Sequence, residues 1–71
     1  MTQSTSDPGQ RVATALLQDP RTEAAIIDVA NDRGMISLTG TVDSDDIRRA
    51  AEQIAREQQG VVTVVNELKV G

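Results

Sequence analysis

Gly34-Met-Ile-Ser-Leu-Thr-Gly-Thr-Val42 and its echo, Gly60-Val-Val-Thr-Val-Val-Asn-Glu-Leu-Lys-Val70, decide the fold of this 71-residue chain. Each opens on a turn glycine and continues with alternating apolar and polar residues, the period of a strand with one face buried. Between them, Ile47, Ala50, Ala51, Ile54 and Ala55 recur at helical spacing and lay an apolar stripe along one side of a helix. The two stretches and the segment between them therefore read as strand, crossover helix, strand.

Working outward, Ile27 and Val29 alternate with Asp28 and Ala30 ahead of Asn31-Asp32-Arg33-Gly34. This predicts a short strand of about five residues and a type I turn closed by a bulge, with Gly34 at positive φ. Gly40 interrupts the apolar face of the next strand, which suggests a bulge or a close backbone approach. Asp43 or Ser44 caps the crossover helix, with Asp45 and Asp46 at its positive end, and Gly60 is its stop. Upstream, Asp7-Pro8-Gly9-Gln10 reads as a helix start, Asp7 being the N-cap and Gln10 completing a capping-box-like pair. Val12, Ala13, Leu16 and Leu17 fall on one face of that helix, and Pro20 ends it after about three turns. Residues 1–6 are small and polar and read as a disordered tail, leaving one domain over 7–71.

The fold class is thus α+β, in the order αββαβ. The first two strands make an antiparallel hairpin, and a right-handed crossover returns the last strand parallel to the second. Both helices cover one face of a three-stranded mixed sheet. The opposite face, with Met35, Ser37, Thr39, Thr41, Thr63, Val65 and Lys69, is left half polar.

Composition limits function. The chain has no Phe, Tyr, Trp, Cys or His. Without His or Cys it can build neither a conventional zinc site nor a nucleophile–base pair of the usual kind, and its acidic residues are scattered. No metal, cofactor or catalytic residue is expected. A net charge of −4 and the missing aromatics argue against nucleic acid. A small aliphatic core is marginal by itself, which makes self-association, most simply as a symmetric homodimer, an expectation. The opening Met-Thr-Gln-Ser-Thr-Ser has neither a basic n-region nor an apolar h-region, and no apolar run approaches the ~20 residues that span a bilayer. The sequence as it stands reads as cytoplasmic, and as periplasmic or envelope-located if it is part of a longer exported protein.

These residues resemble the BON domain, a small bacterial module named after an osmotically inducible, stress-response periplasmic protein and nodulation proteins. The pattern carried here is Gly34, Ile36, Leu38, Gly40 and Val42, then Ala50, Ala51, Ile54 and Ala55, then Gly60, Val61, Val64, Asn66, Leu68 and Val70. The resemblance covers about residues 7–70. It implies a non-catalytic binding module, described as attaching to phospholipid membranes or the cell envelope and found beside secretin, channel, CBS and LysM domains. Most relatives are exported and often paired, whereas the sequence as it stands reads as a single domain without a signal segment.

Two readings of function follow. In the first, Arg48, Arg49 and Arg56 form a patch for anionic phospholipid headgroups. Against it, Asp45 lies four residues before Arg49 and Glu52 four before Arg56, the spacing of helical ion pairs. Acids also outnumber bases along this stretch, and no bulky fringe of the interfacial kind is present. In the second, the weak core and unshielded sheet face make the chain a protein-interaction or oligomerisation module. Gly34, Gly40 and Gly60 are read as structural. Asn66 faces the core and must be hydrogen-bonded there, with partners expected around Gly40 or the Val42-Asp43 loop.

Overall fold

The computed structural model describes residues 7–71; the polar segment 1–6 lies outside the described residues. Helix α1 (Pro8–Gln18) is followed by β1 (Ile26–Asp32), β2 (Met35–Val42), α2 (Asp45–Arg56) and β3 (Thr63–Val70). The sheet order is β1-β2-β3, with β1 antiparallel and β3 parallel to β2. This is the αββαβ arrangement that the strand and helix periods dictate.

Alternation in β2 sorts the two faces. Ile36, Leu38 and Val42 point inward and are buried beside Val12 and Leu16 of α1 and Ala51, Ile54 and Ala55 of α2. Both helices therefore pack on the same face of the sheet. Register places Val29 beside Leu38 and Asn66 on its other side, so the middle row of the inner face runs Val29–Leu38–Asn66. The outer face is crossed by the rows Asp28–Thr39–Glu67 and Ala30–Ser37–Val65, and among the described residues no second layer covers it.

α1 begins as its sequence dictates, with Pro8 in the first turn and Asp7 as N-cap. The Asp7 carboxylate accepts from the Gly9 N–H at 3.1 Å, so the cap closes on Gly9, not on the expected Gln10. The same Oδ1 accepts from Asn31 Nδ2 at 2.7 Å, tying the helix start to the end of β1. Leu17, expected on the buried face, is 68 % exposed, because the core is reached from Val12 and Leu16 and the flank toward Ala15. Asp19 leaves the helix in extended conformation ahead of Pro20. Thr22 is fully buried in the connection that follows, its hydroxyl donating to the Leu16 carbonyl at 2.6 Å and so satisfying an orphan carbonyl of the helix end.

The hairpin turn differs from expectation. β1 continues to Asp32, which pairs with Met35, leaving a two-residue loop. Arg33 and Gly34 both have positive φ, 56° and 93°, the signature of a type I′ turn whose twist matches the flanking strands. Gly34 is therefore required, but in a tighter turn than a type I with bulge. At Gly40 the register runs through without a bulge. Its φ is 133°, and a Cβ there would stand 2.7 Å from the Ile26 carbonyl oxygen, so the glycine serves a close backbone approach. Ser44, not Asp43, caps α2, its hydroxyl accepting from the Ile47 N–H at 3.3 Å. Nor does Gly60 end that helix: Glu57 is the C-cap, and Gln58 donates its side-chain amide to the Ile54 carbonyl at 3.0 Å. Gly60 belongs to the turn leading into β3.

Candidate functional site

The arginines of α2 are engaged with acids of the same helix. Asp45 lies between two of them, with Oδ1 2.6 Å from Arg48 Nη2 and Oδ2 2.7 Å from Arg49 Nε. Glu52 Oε2 is 2.6 Å from Arg56 Nη2. The two pairs read from four-residue spacing are formed, and Arg48 adds a third at three-residue spacing, which faces its partner equally well. Hydrogen bonding from Arg48 holds the Asp45 carboxyl below the usual carboxylate range; desolvation opposes it, and the charges of Arg48 and Arg49 add to the lowering.

Nor do the three cations share one surface. Arg49 and Arg56 line a shallow groove with Glu52 and Gln53, while Arg48 lies outside it. The helix proper, Asp45–Arg56, carries Asp45, Asp46 and Glu52 against Arg48, Arg49 and Arg56. Acids therefore do not outnumber bases within its bounds; the surplus sits on the flanks, at Asp43 and Glu57. An anionic headgroup approaching this stripe meets a balanced surface.

Asn66 is fixed by α2, not by Gly40 or the Val42-Asp43 loop. Its Nδ2 donates to the Arg48 carbonyl at 2.9 Å and to Glu52 Oε1 at 3.2 Å. Its Oδ1 accepts from the Leu68 N–H at 3.1 Å. α2 overlies β3, so the nearest acceptors are one helical turn of backbone and a carboxylate pointing down from it. The Leu68 N–H would otherwise be open. Thr63 and Gly71 donate to the Gly34 and Val42 carbonyls on the β2 side, and in a strand alternate N–H groups point the opposite way. Asn66 thus clamps helix to sheet and caps one donor on the free edge of β3.

Among the described residues nothing packs on the outer face of the sheet. On its outer face Met35 and Val65 are partly exposed, and Ile26, at the start of β1, is 85 % exposed. Leu17 and Ile26 line one apolar depression of about 300 Å³ between the end of α1 and the start of β1. Asp28, Asp32, Glu67 and Lys69 complete the outer face, and none of the four belongs to an ion pair among the described residues. Sequence reasoning placed the face, with Met35 and Val65 on it, and missed Ile26, since the strand was read as starting near Ile27. Among the described residues no three acids come together as a metal site, and no helix is long and apolar enough to cross a membrane.

The site is thus a small mixed sheet with two helices on one face and an exposed opposite face. The profile of the BON domain matches residues 6–71, and the chain belongs to that family of binding and interaction domains. It is also similar to an uncharacterized protein encoded in the gshII 5′ region of Anaplasma centrale, 50 % identical over 44 residues. That match takes in 62 % of this chain and 29 % of the relative, so the shared unit spans under a third of the Anaplasma protein.

Proposed function

We propose that this BON domain is a non-catalytic attachment module that works through protein contact at its uncovered sheet, and not through capture of phospholipid headgroups by α2. One contrast supports the reading: every arginine of α2 is ion-paired within the helix, two of them to Asp45, whereas among the described residues no element lies on the outer face and β1 and β3 each pair on one side only. Membrane-surface helices gain affinity from inserted bulky apolar groups and from about 1 kcal/mol per basic residue near an anionic surface. α2 offers neither an aromatic to insert nor a net positive face, and a chain at −4 is repelled at long range by an anionic bilayer.

Co-flotation with liposomes of neutral and of anionic lipid at low salt tests this. The expected outcome is no flotation with either. Robust flotation with anionic vesicles, lost when Arg48, Arg49 and Arg56 are changed together, would return function to the headgroup patch.

A further inference from the structure

We infer that the free edge of β1 takes an extended, basic segment of another protein as a fourth strand of the sheet. The inference rests on the protein-contact reading above and names the place and chemistry of that contact.

β1 is seven residues long and has a partner on one side only. The Ile26 carbonyl points toward β2, where it approaches Gly40, and Asp32 and Met35 flank a two-residue turn. Both observations put the N–H and C=O groups of the even-numbered residues on the β2 side. Those of Ile27, Val29 and Asn31 therefore face outward, and among the described residues nothing else hydrogen-bonds to them. Folded proteins blunt such edges with proline, a bulge or charged side chains. β1 has no proline or bulge, its register being continuous from Ile26 to Asp32, and its charges, Asp28 and Asp32, repel only acidic strands. The opposite edge is treated differently, because Asn66 occupies the Leu68 N–H there.

Charge selects the occupant. Asp28 and Asp32 project from β1 on the outer face, four residues apart and outside any ion pair among the described residues. A second copy laid antiparallel along the edge would gather four carboxylates on one face of the joined strands, between two chains of net charge −4. A strand with Lys or Arg opposite Asp28 and Asp32 makes cross-strand pairs of opposite sign instead. Its alternate residues fall beside half-buried Ile27 and Val29 and extend the apolar inner face. The recognised segment is therefore extended, apolar at every second position, and basic at two positions four residues apart on the other face.

The test is calorimetric titration of the intact chain, at low and moderate salt, with a strand-length peptide of alternating valine carrying two lysines at that spacing. Saturable binding is expected, weakened about tenfold when both lysines become glutamate. It should also be lost when the peptide's alternate amides that face β1 are N-methylated, because pairing then has no donors. Asp28→Lys with Asp32→Lys should reverse the preference toward the glutamate peptide, and circular dichroism on that variant checks that the sheet is retained. Binding that survives N-methylation would mean charge attraction without strand addition and would overturn the inference while leaving a protein-contact role. So would no binding, or a dimer in sedimentation that excludes the peptide. Failure of the broader reading shows separately, in liposome flotation.

Discussion

α2 and β1 carry their charges in opposite ways. On α2, Arg48 and Arg49 share Asp45, and Arg56 holds Glu52; every cation has an acid of the same helix within ion-pair distance, and the helix carries three acids against three bases. On β1, Asp28 and Asp32 stand outside the ion pairs of the described residues, next to backbone groups that also lack partners. A count of charged residues makes α2 the richer surface. Counting what remains unsatisfied reverses the order, and recognition draws on unsatisfied groups: exposed intramolecular pairs contribute little and add no net field, while an open strand edge offers directional hydrogen bonds.

The most severe way to break this comparison is to break the strand it depends on. Gly40→Ala places Cβ against the Ile26 carbonyl at 2.7 Å with φ at 133°, so β1 must move off β2. A loss of about 2–4 kcal/mol is expected, read as a lower denaturant midpoint, with peptide binding at β1 impaired in parallel. An unshifted midpoint would mean that the backbones are not in close approach there. Asn66→Leu comes next and acts on the other side of the sheet. It leaves the Leu68 N–H without its acceptor and removes the tie to α2, for about 1–3 kcal/mol. Hydrogen exchange should quicken in α2 and β3 and leave β1 unchanged; equal stability with loss of a binding activity would make Asn66 part of a site instead.

Arg33→Gly sharpens the hairpin end of β1. A non-glycine residue at φ 56° carries strain that glycine relieves, and a gain of about 0.5–1 kcal/mol in thermal or denaturant unfolding is expected. A loss would argue against the type I′ turn. The smallest effect belongs to α2. Changing Arg48, Arg49 and Arg56 to glutamine should lower the neutral-pH unfolding midpoint only slightly. That small difference should disappear in acid. The Asp45 carboxyl is held low chiefly by its hydrogen bond from Arg48. A group whose folded pKa is depressed contributes stability above its unfolded value and loses it as pH falls through the folded one. The wild type should therefore lose stability below about pH 4 more steeply than the variant, and equally steep acid limbs would show that the pairs exert no hold on Asp45.

The elements and their order were legible because period and punctuation agree along the chain. Ile36, Leu38 and Val42 alternate, Ala50 to Ala55 follow a helical stripe, and Pro20 and Gly34 mark breaks. Less legible were features decided by what lies across space. Asn66 could be seen to need hydrogen bonds, but only the placement of α2 over β3 identifies the Arg48 carbonyl and Glu52 as its partners. Leu17 looks like a core residue on pattern alone, but α1 reaches the core from Val12, Leu16 and the flank toward Ala15. The type I′ turn was hidden by Arg33, a residue with no preference for positive φ, held there by the strands on either side. The ion pairs of α2 were readable from helical spacing, while the openness of the β1 edge depends on strand order.

The most direct test of the contrast between the two surfaces is one isotope-labelled sample followed by amide chemical shifts, titrated with the basic strand peptide and, separately, with anionic vesicles. The peptide should move Ile27, Val29 and Asn31, and the vesicles should leave the amides of α2 unperturbed. Signals of Arg48, Arg49 and Arg56 broadening with vesicles while β1 ignores the peptide would contradict the account.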